Sequence, residues 1–443
     1  MTVPALFTDL YEFTMAQAYA AENMDQLAVF ELAFRKMPAT RNYIVAAGIG
    51  DVIEFLSSFC FEEWELDYLR RRPEFSKAFL ERLRSLRFTG DVYAMPEGTP
   101  VFPNEPVVQV VAPVIEAQLI ETLVLNQVHF QSLAVSKAAR IVEAAQGRGV
   151  VDFGSRRAHG NDAALKVARA TYLAGGLGTS NVLAGQRYGI PIFGTMAHSY
   201  IQAHECEAAS FEAFAALYPE TTLLVDTYDT LDGVRKVIAL SQKLGSGFRV
   251  RAVRLDSGDL GGLARETRAM LDQAGLPQVA IFASSSLDEY AIQKLVSSGA
   301  PIDAFGVGTK LAVLEDACHL DMAYKLVDYG GQGRLKLSAN KLLYPGRKQV
   351  FRQCENGCMV RDVIARFDES LPGQPLLQPV MQAGAPVTRI ELEESRRRFQ
   401  GEIGRLPAHL RALEPSKIPY AVTFSQGLEQ DLARIKIQLA RSR

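Results

Sequence analysis

Six short apolar runs in the middle of the chain each finish in residues able to do chemistry. "VVDFG" ends in Ser155-Arg156-Arg157, and "PIFGT" leads to His198, one of only six histidines. "LLVDTYDT" carries Asp226 and Asp229, and "AVRLDSGD" carries Arg254, Asp256 and Asp259. "IFASSS" ends in three serines followed by Asp288, and "FGVGTKL" presents Gly306, Gly308 and Thr309. One polar ending would mean little. Six of related character predict one shared site.

Each ending has a functional reading and a plainer one. The glycines of "FGVGTKL" let a backbone come close to a phosphate, with the Thr309 hydroxyl beside it; the alternative is a turn that needs positive φ. Arg254 and Asp256 can hold ribose hydroxyls or a Mg²⁺ ion with its waters, while Ser257 or Asp259 can equally cap the following helix. An arginine late in an apolar strand needs a buried anionic partner, either a ligand or Asp226. Phe153 can stack a flat ligand and Arg156 can fork onto a phosphate or carboxylate; otherwise they are a core ring and a solvated cation. His198 can be a satisfied core histidine, a metal ligand or a nucleophile. Metal binding lacks support, because His204 lies six residues on and no HExxH is present. As a nucleophile, an imidazole nitrogen accepts a phosphoryl group.

The elements that must position these residues alternate. Helical spacings such as "DAALKVARATYLAG", "LDGVRKVIALSQKLG" and "GDLGGLARETRAMLDQAG" separate the apolar runs. Strand–helix alternation predicts parallel strands with right-handed crossovers. About six such units predict an α/β fold with a (β/α)-type barrel that has room to be incomplete, and chemistry in such barrels collects where strands finish. An open doubly wound sheet is the rival, without the GxGxxG of a dinucleotide site. The barrel is assigned to 121–334. Residues 1–120 and 335–443, where short strands, Pro-Gly turns and a charged helical tail occur, form a second α/β domain from both chain ends. "IEAQLIETLVLNQVHFQSLAVSKAARIVEAA" reads as one long helix, with room for an interruption.

The totals exclude several classes. A net charge of −2 argues against a nucleic-acid binder, which needs a basic surplus. No apolar run is long enough to span a membrane. Five cysteines at 60, 206, 318, 354 and 358 make no compact framework, and "MTVPALFTDLYEF" has no signal-like core. The expectation is a reduced, cytoplasmic protein.

With these pieces together, the chain resembles the nicotinate phosphoribosyltransferase family. The motifs are "LFTDLYEFTMAQAY", "FRKMP", "IETLVLNQVHFQSLAVSKAAR", "DFGSRRAHG", "GTSNVLAGQRYGIPIFGTMAHS", "RLDSGDL", "FGVGTKL", "YKLVDY" and "YPGRKQVFR", over about the first 350 residues. The resemblance implies the type II phosphoribosyltransferase fold, an irregular (β/α) barrel plus a second α/β domain built from both chain ends, and a homodimer with a shared site. It implies transfer of phosphoribose from phosphoribosyl pyrophosphate to nicotinate, coupled to ATP hydrolysis, with Mg²⁺, in NAD biosynthesis. Carried over by motif, His198 is the phosphorylated histidine. Phe153 and Tyr11 of the partner subunit sandwich the pyridine, with Arg156 nearby. Arg156, Arg254 and Asp256 hold the phosphoribosyl and pyrophosphate groups together with Ser257, Asp256 also meeting Mg²⁺, and Gly306, Gly308 and Thr309 hold the 5′-phosphate. "DFGSRRAHG" departs from the more usual "FGLRRAQG", and Tyr200 replaces the usual aromatic after "AHS". Ser180 stands where related nicotinamide enzymes carry an aspartate, whose charge would repel the nicotinate carboxylate. Ser180 also reads as a helix N-cap. The alternatives are a nicotinamide or quinolinate transferase, or a non-catalytic barrel that binds a phosphorylated metabolite.

Overall fold

A computed structural model of the protein describes residues 3–336 and 344–441. The chain divides into two compact units, Ala134–Asp316 and the combination of Met1–Leu133 with Ala317–Arg443.

The Ala134–Asp316 unit is built on a parallel sheet. Its strands are β1 (Gly149–Asp152), β2 (Gly178–Thr179), β3 (Thr222–Leu224), β4 (Ala252–Leu255), β5 (Ala280–Ser285) and β6 (Ala304–Val307), in the spatial order β2-β1-β6-β5-β4-β3. The last strand inserts between the first and the fifth. Val150, Val151, Leu223, Val253, Leu255, Ile281, Phe305 and Val307 are at most 2% exposed, as expected of parallel strands covered on both faces. A single parallel bridge, Thr179 to Ile192, adds one more position beyond β2. Among the described residues no ladder joins that edge to β3, so the sheet is a curled, incomplete barrel. "PIFGT", expected as a full strand, forms only this bridge. Pro191 has no N–H for a ladder, and residues 191–194 are exposed rather than core.

Crossover helices follow their sequence signals. Asn181 accepts the Ala184 N–H at the start of Val182–Tyr188, and Gly189 closes that helix at φ 68°. In Thr230–Leu244, Val234, Val237 and Leu240 face the core, and Lys236 on the outer side pairs with Asp232 and Glu207. A side chain at Gly233 would come within 2.1 Å of the Val225 carbonyl, so only glycine lets this helix approach the end of β3. That approach fixes the loop carrying Asp226 and Thr227.

The other unit draws strands from both chain ends. Its seven-stranded antiparallel sheet runs Gln332–Gly333, Met322–Tyr329, Leu27–Phe34, Val108–Pro113, Asp91–Ala94, Gln378–Gln382, Ala385–Pro386. A second sheet orders Gln374–Pro375, Lys348–Glu355, Cys358–Arg366 and Ala421–Phe424. A buried ion pair, Lys348 to Glu31 at 2.8 Å, ties late strand to early strand. Of the run 335–352 expected as strands and turns, 337–343 lie outside the described residues, and the strand begins at Lys348. The long helix expected before the barrel is interrupted at Ile120, giving Val114–Leu119 and Glu121–Ala145. Among the described residues no helix is long and apolar enough to cross a membrane.

Candidate active site

The C-terminal ends of β1, β3, β4 and β5 and the His198 loop converge on one polar cluster. Arg254, the third residue of β4, is its hub. Its Nε donates to Ser284 Oγ on β5 at 2.7 Å, its Nη2 donates to Asp256 Oδ1 at 2.8 Å, and its Nη1 reaches Thr195 Oγ1 at 3.5 Å. The guanidinium lies 5.3 Å from the centroid of Phe153, beyond the end of β1. Ser284 also donates to Asp256 Oδ1. The anion expected to partner Arg254 from the protein itself is therefore Asp256, two residues on, rather than Asp226.

Asp226 has a different task. Its Oδ2 accepts the backbone N–H of Asp256 at 3.0 Å and the hydroxyl of Ser257 at 2.6 Å, which fixes the turn after β4. Its Oδ1 is buried with no hydrogen-bond partner among the described residues. Burial pushes the Asp256 carboxyl up, but the Ser284 hydrogen bond and the Arg254 charge outweigh it, so the group lies below the usual carboxylate range.

His198 opens the short helix His198–Gln202. Its Nδ1 is 3.1 Å from Thr227 Oγ1, and its Nε2 is 3.7 Å from Asp256 Oδ2. The side chain is 42% exposed, which rules out the core-histidine alternative. His204, in contrast, turns back onto its own helix, with Nδ1 2.8 Å from the Tyr200 carbonyl. Thr227 gives no signal in the sequence beyond its place beside Asp226.

The aromatic wall is made by Phe153, beyond the end of β1, and Phe282 on β5. Phe153 is half-buried against Phe282, with ring centroids 5.6 Å apart. A Cβ at Gly306 would stand 2.7 Å from the Phe153 ring and 2.8 Å from Phe282, so Gly306 makes room for the ring. Neither Gly306 nor Gly308 has positive φ, which removes the turn explanation for both. Thr309 is exposed at the start of a four-residue helix. Arg156 is exposed in the short 3₁₀ turn Ser155–Arg157, and Ser180 is half-buried beside the end of β2. The helix cap expected at Ser180 is made by Asn181 instead. Asp229 and Asp288 cap the helices that follow them, accepting from Asp232 N and Ala291 N at 2.8 Å each. These two strand-end aspartates are structural. Asp259 precedes the helix Leu260–Gln273 without a capping bond from its side chain.

Tyr11 belongs to the other unit, on the helix Leu10–Ala21, and is 48% exposed. Burial of its phenol oxygen and the adjacent Glu12 and Glu121 raise its pKa. Glu121 lines a cavity of about 310 Å³ in the same unit, beside Arg35, Lys325, Arg334 and Lys336. Nothing in the sequence marks this basic cavity as a site, although Arg35 and Lys325 stand inside "FRKMP" and "YKLVDY".

Glu12, fully buried beside Tyr11, makes a measurable prediction. Burial raises its carboxyl from the ordinary 4.5 to about 7, against the hydrogen bond donated by Gln118. The folded state then binds a proton that the unfolded chain has already lost. Its stabilising contribution is full below about 4.5 and disappears as pH rises through about 7. Glu12→Gln is expected to flatten this dependence by roughly 1–2 kcal/mol. Thermal melts at pH 5 and pH 8 should show a smaller fall in Tm for the variant than for the wild type.

The fold and cluster define the class. The crystal structure of human nicotinic acid phosphoribosyltransferase superposes with a TM-score of 0.86, covering 97% of this chain and 99% of that one at 30% identity. The architecture is the type II phosphoribosyltransferase fold. Residues 6–129 match the nicotinate phosphoribosyltransferase N-terminal domain, and residues 149–330 match the nicotinate phosphoribosyltransferase family. Nicotinate phosphoribosyltransferase pncB2 of Mycobacterium tuberculosis H37Rv is 59% identical over 98% of this chain and 94% of its own length. The Bacillus subtilis strain 168 nicotinate phosphoribosyltransferase is 42% identical over 84% of this chain and 78% of its own. The chain belongs to the nicotinate phosphoribosyltransferase family. The alignment with the mycobacterial protein extends over 436 residues, so the kinship continues past the first 350 into the C-terminal region.

Proposed function

We propose that the protein transfers phosphoribose from phosphoribosyl pyrophosphate to the ring nitrogen of nicotinate, releasing pyrophosphate, and couples this to ATP hydrolysis through His198. The observation that carries it is the single cluster of His198, Thr227, Asp256, Arg254, Ser284 and Phe153. It brings a half-exposed imidazole, an anchored cation and an aromatic face to one end of one sheet.

In the transfer, the C1′–oxygen bond breaks, pyrophosphate leaves with the electron pair, and the pyridine nitrogen forms the new C1′–N bond. Arg254 neutralises charge that develops on the phosphate side, held ready by its three protein partners. Phe153 orients the flat ring of nicotinate, and Arg156 stands on the same turn to meet anionic groups. Gly306, Gly308 and Thr309 take the 5′-phosphate, and Ser257 rims the donor site. With Nδ1–H donating to Thr227, Nε2 of His198 keeps its lone pair. It attacks the γ-phosphorus of ATP, forming a P–N bond as the bond to the ADP oxygen breaks.

Mg²⁺ suits this site: Asp256 and the unpartnered Oδ1 of Asp226 are hard oxygen donors, and Mg²⁺ binds through one or two carboxylates plus phosphates. When bound, it would neutralise phosphate charge. In a homodimer, Tyr11 of the partner subunit would cover the free face of the pyridine, and the basic cavity beside it would add positive charge. The place of the reaction is NAD biosynthesis in the cytoplasm.

Ser180 favours nicotinate over nicotinamide, since a hydroxyl donates to an acid that an aspartate would repel. Ser180→Asp is expected to shift the ratio of kcat/KM for nicotinate over nicotinamide by about 100-fold toward nicotinamide. Steady-state kinetics with both substrates checks it. The overall proposal is tested by pyrophosphate release with nicotinate, nicotinamide and quinolinate, each with and without ATP–Mg²⁺. Release with nicotinate, stimulated by ATP, is expected; release with quinolinate alone would overturn the assignment.

A further inference from the structure

Asp152 ends β1 and is 0% exposed, yet among the described residues its carboxylate is met by neutral donors alone. A buried carboxylate without a cation is costly, and burial does push its pKa up. Its bonds reach two different loops. Oδ1 accepts the N–H of Gly154 at 2.7 Å, and Oδ2 accepts the hydroxyl of Thr179 at 2.7 Å. Its backbone carbonyl accepts the N–H of Ser180 at 2.8 Å. Thr179 Oγ1 in turn accepts the N–H of Asn181 at 3.0 Å.

The direction of this chain follows from its donors and from the charge on Asp152. Two backbone N–H groups can only donate. With Asp152 ionised, Thr179 donates its single hydroxyl proton to Oδ2, and Asp152 accepts on both oxygens. One carboxylate thus clasps the loop of Phe153 and the loop of Ser180 at the ends of neighbouring strands. Phe153 is gripped from its other side by the Val307 carbonyl, which accepts its N–H at 2.8 Å, and by the space at Gly306.

Resting on the assignment of Phe153 and Ser180 to nicotinate above, the geometry points to Asp152, with Thr179, as the positioning pair that sets the separation between the ring-stacking and acid-recognising sides of the pocket. Neither residue touches the substrate. Their loss would loosen recognition of the acid while sparing the donor site around Arg254.

Asp152→Asn keeps the shape but replaces one acceptor by an NH₂ that faces a donor. Thr179→Val keeps the shape and removes the hydroxyl, and Thr179→Ser keeps the hydroxyl. Asp152→Asn and Thr179→Val are expected to raise KM for nicotinate about tenfold and to lower the nicotinate-over-nicotinamide ratio by a similar factor, the scale of one lost hydrogen bond to a charged group. KM for phosphoribosyl pyrophosphate should stay within about twofold, and Thr179→Ser should restore the wild-type ratio. Thr179→Val tests the pair even if Asp152→Asn fails to fold. An unmoved ratio in folded Thr179→Val, or equal losses toward both substrates, overturns the inference while wild-type turnover of nicotinate stands. Wild-type protein that does not turn over nicotinate overturns the assignment beneath it, and the inference with it.

Discussion

Arg254→Ala is expected to reduce kcat/KM for phosphoribosyl pyrophosphate about 10³-fold, comparable to removing a preorganised donor from a charge-stabilising site. The size of the effect follows from what the guanidinium holds. Its three nitrogens address Ser284, Thr195 and Asp256 separately, and its plane lies near the Phe153 ring. Truncation removes the cation that would face the leaving pyrophosphate. It also leaves Asp256 without the charge that helps hold its carboxyl low, so the carboxylate becomes more basic. Arg254→Lys should recover little, because one ammonium cannot reach three partners set out for a planar fork. The check is steady-state kinetics with the donor varied. Lysine restoring near wild-type values would show that only charge is needed there.

His198→Ala is the second large effect. ATP hydrolysis coupled to the reaction should vanish, while some phosphoribosyl transfer persists, because Arg254, Asp256 and Phe153 remain in place. The imidazole is held by Thr227 at Nδ1, and its Nε2, 3.7 Å from Asp256 Oδ2, belongs to a half-exposed side chain, so its removal takes away the phosphoryl acceptor without dismantling the donor site. The stimulation of nicotinate turnover by ATP should fall to about onefold, no effect at all. Parallel assays of ADP and pyrophosphate release measure both. Coupling that survives in the variant would assign the phosphoryl group elsewhere.

The endings of the apolar runs were legible because parallel strands bury both faces and free only their C-terminal ends. That logic marked His198, Arg254 and Asp256, and the structure does bring these three together. It could not distinguish strand-end aspartates with local work from the rest. Asp229 and Asp288 look like Asp226 in the sequence, but they accept helix N–H groups three residues on. Pairings across strands were equally hidden. Ser284 meets Arg254, and Thr227 meets His198, at separations of 30 and 29 residues that no local spacing reveals. "PIFGT" had a strand's composition and forms one bridge, because a proline at an open sheet edge cannot extend a ladder. The basic cavity beside Tyr11 gathers Arg35 with Lys325 and Arg334, nearly 300 positions away in the chain, and charges so scattered carry no periodic signature.

The most direct measurement is mass spectrometry under neutral conditions of the wild-type protein mixed with ATP–Mg²⁺, with the modified peptide sequenced. One acid-labile phosphate on the peptide carrying His198, absent after acid treatment and discharged when nicotinate and phosphoribosyl pyrophosphate are added, is the result expected. An unmodified His198 during ATP-stimulated turnover, or a stable phosphate on another residue, would contradict the account.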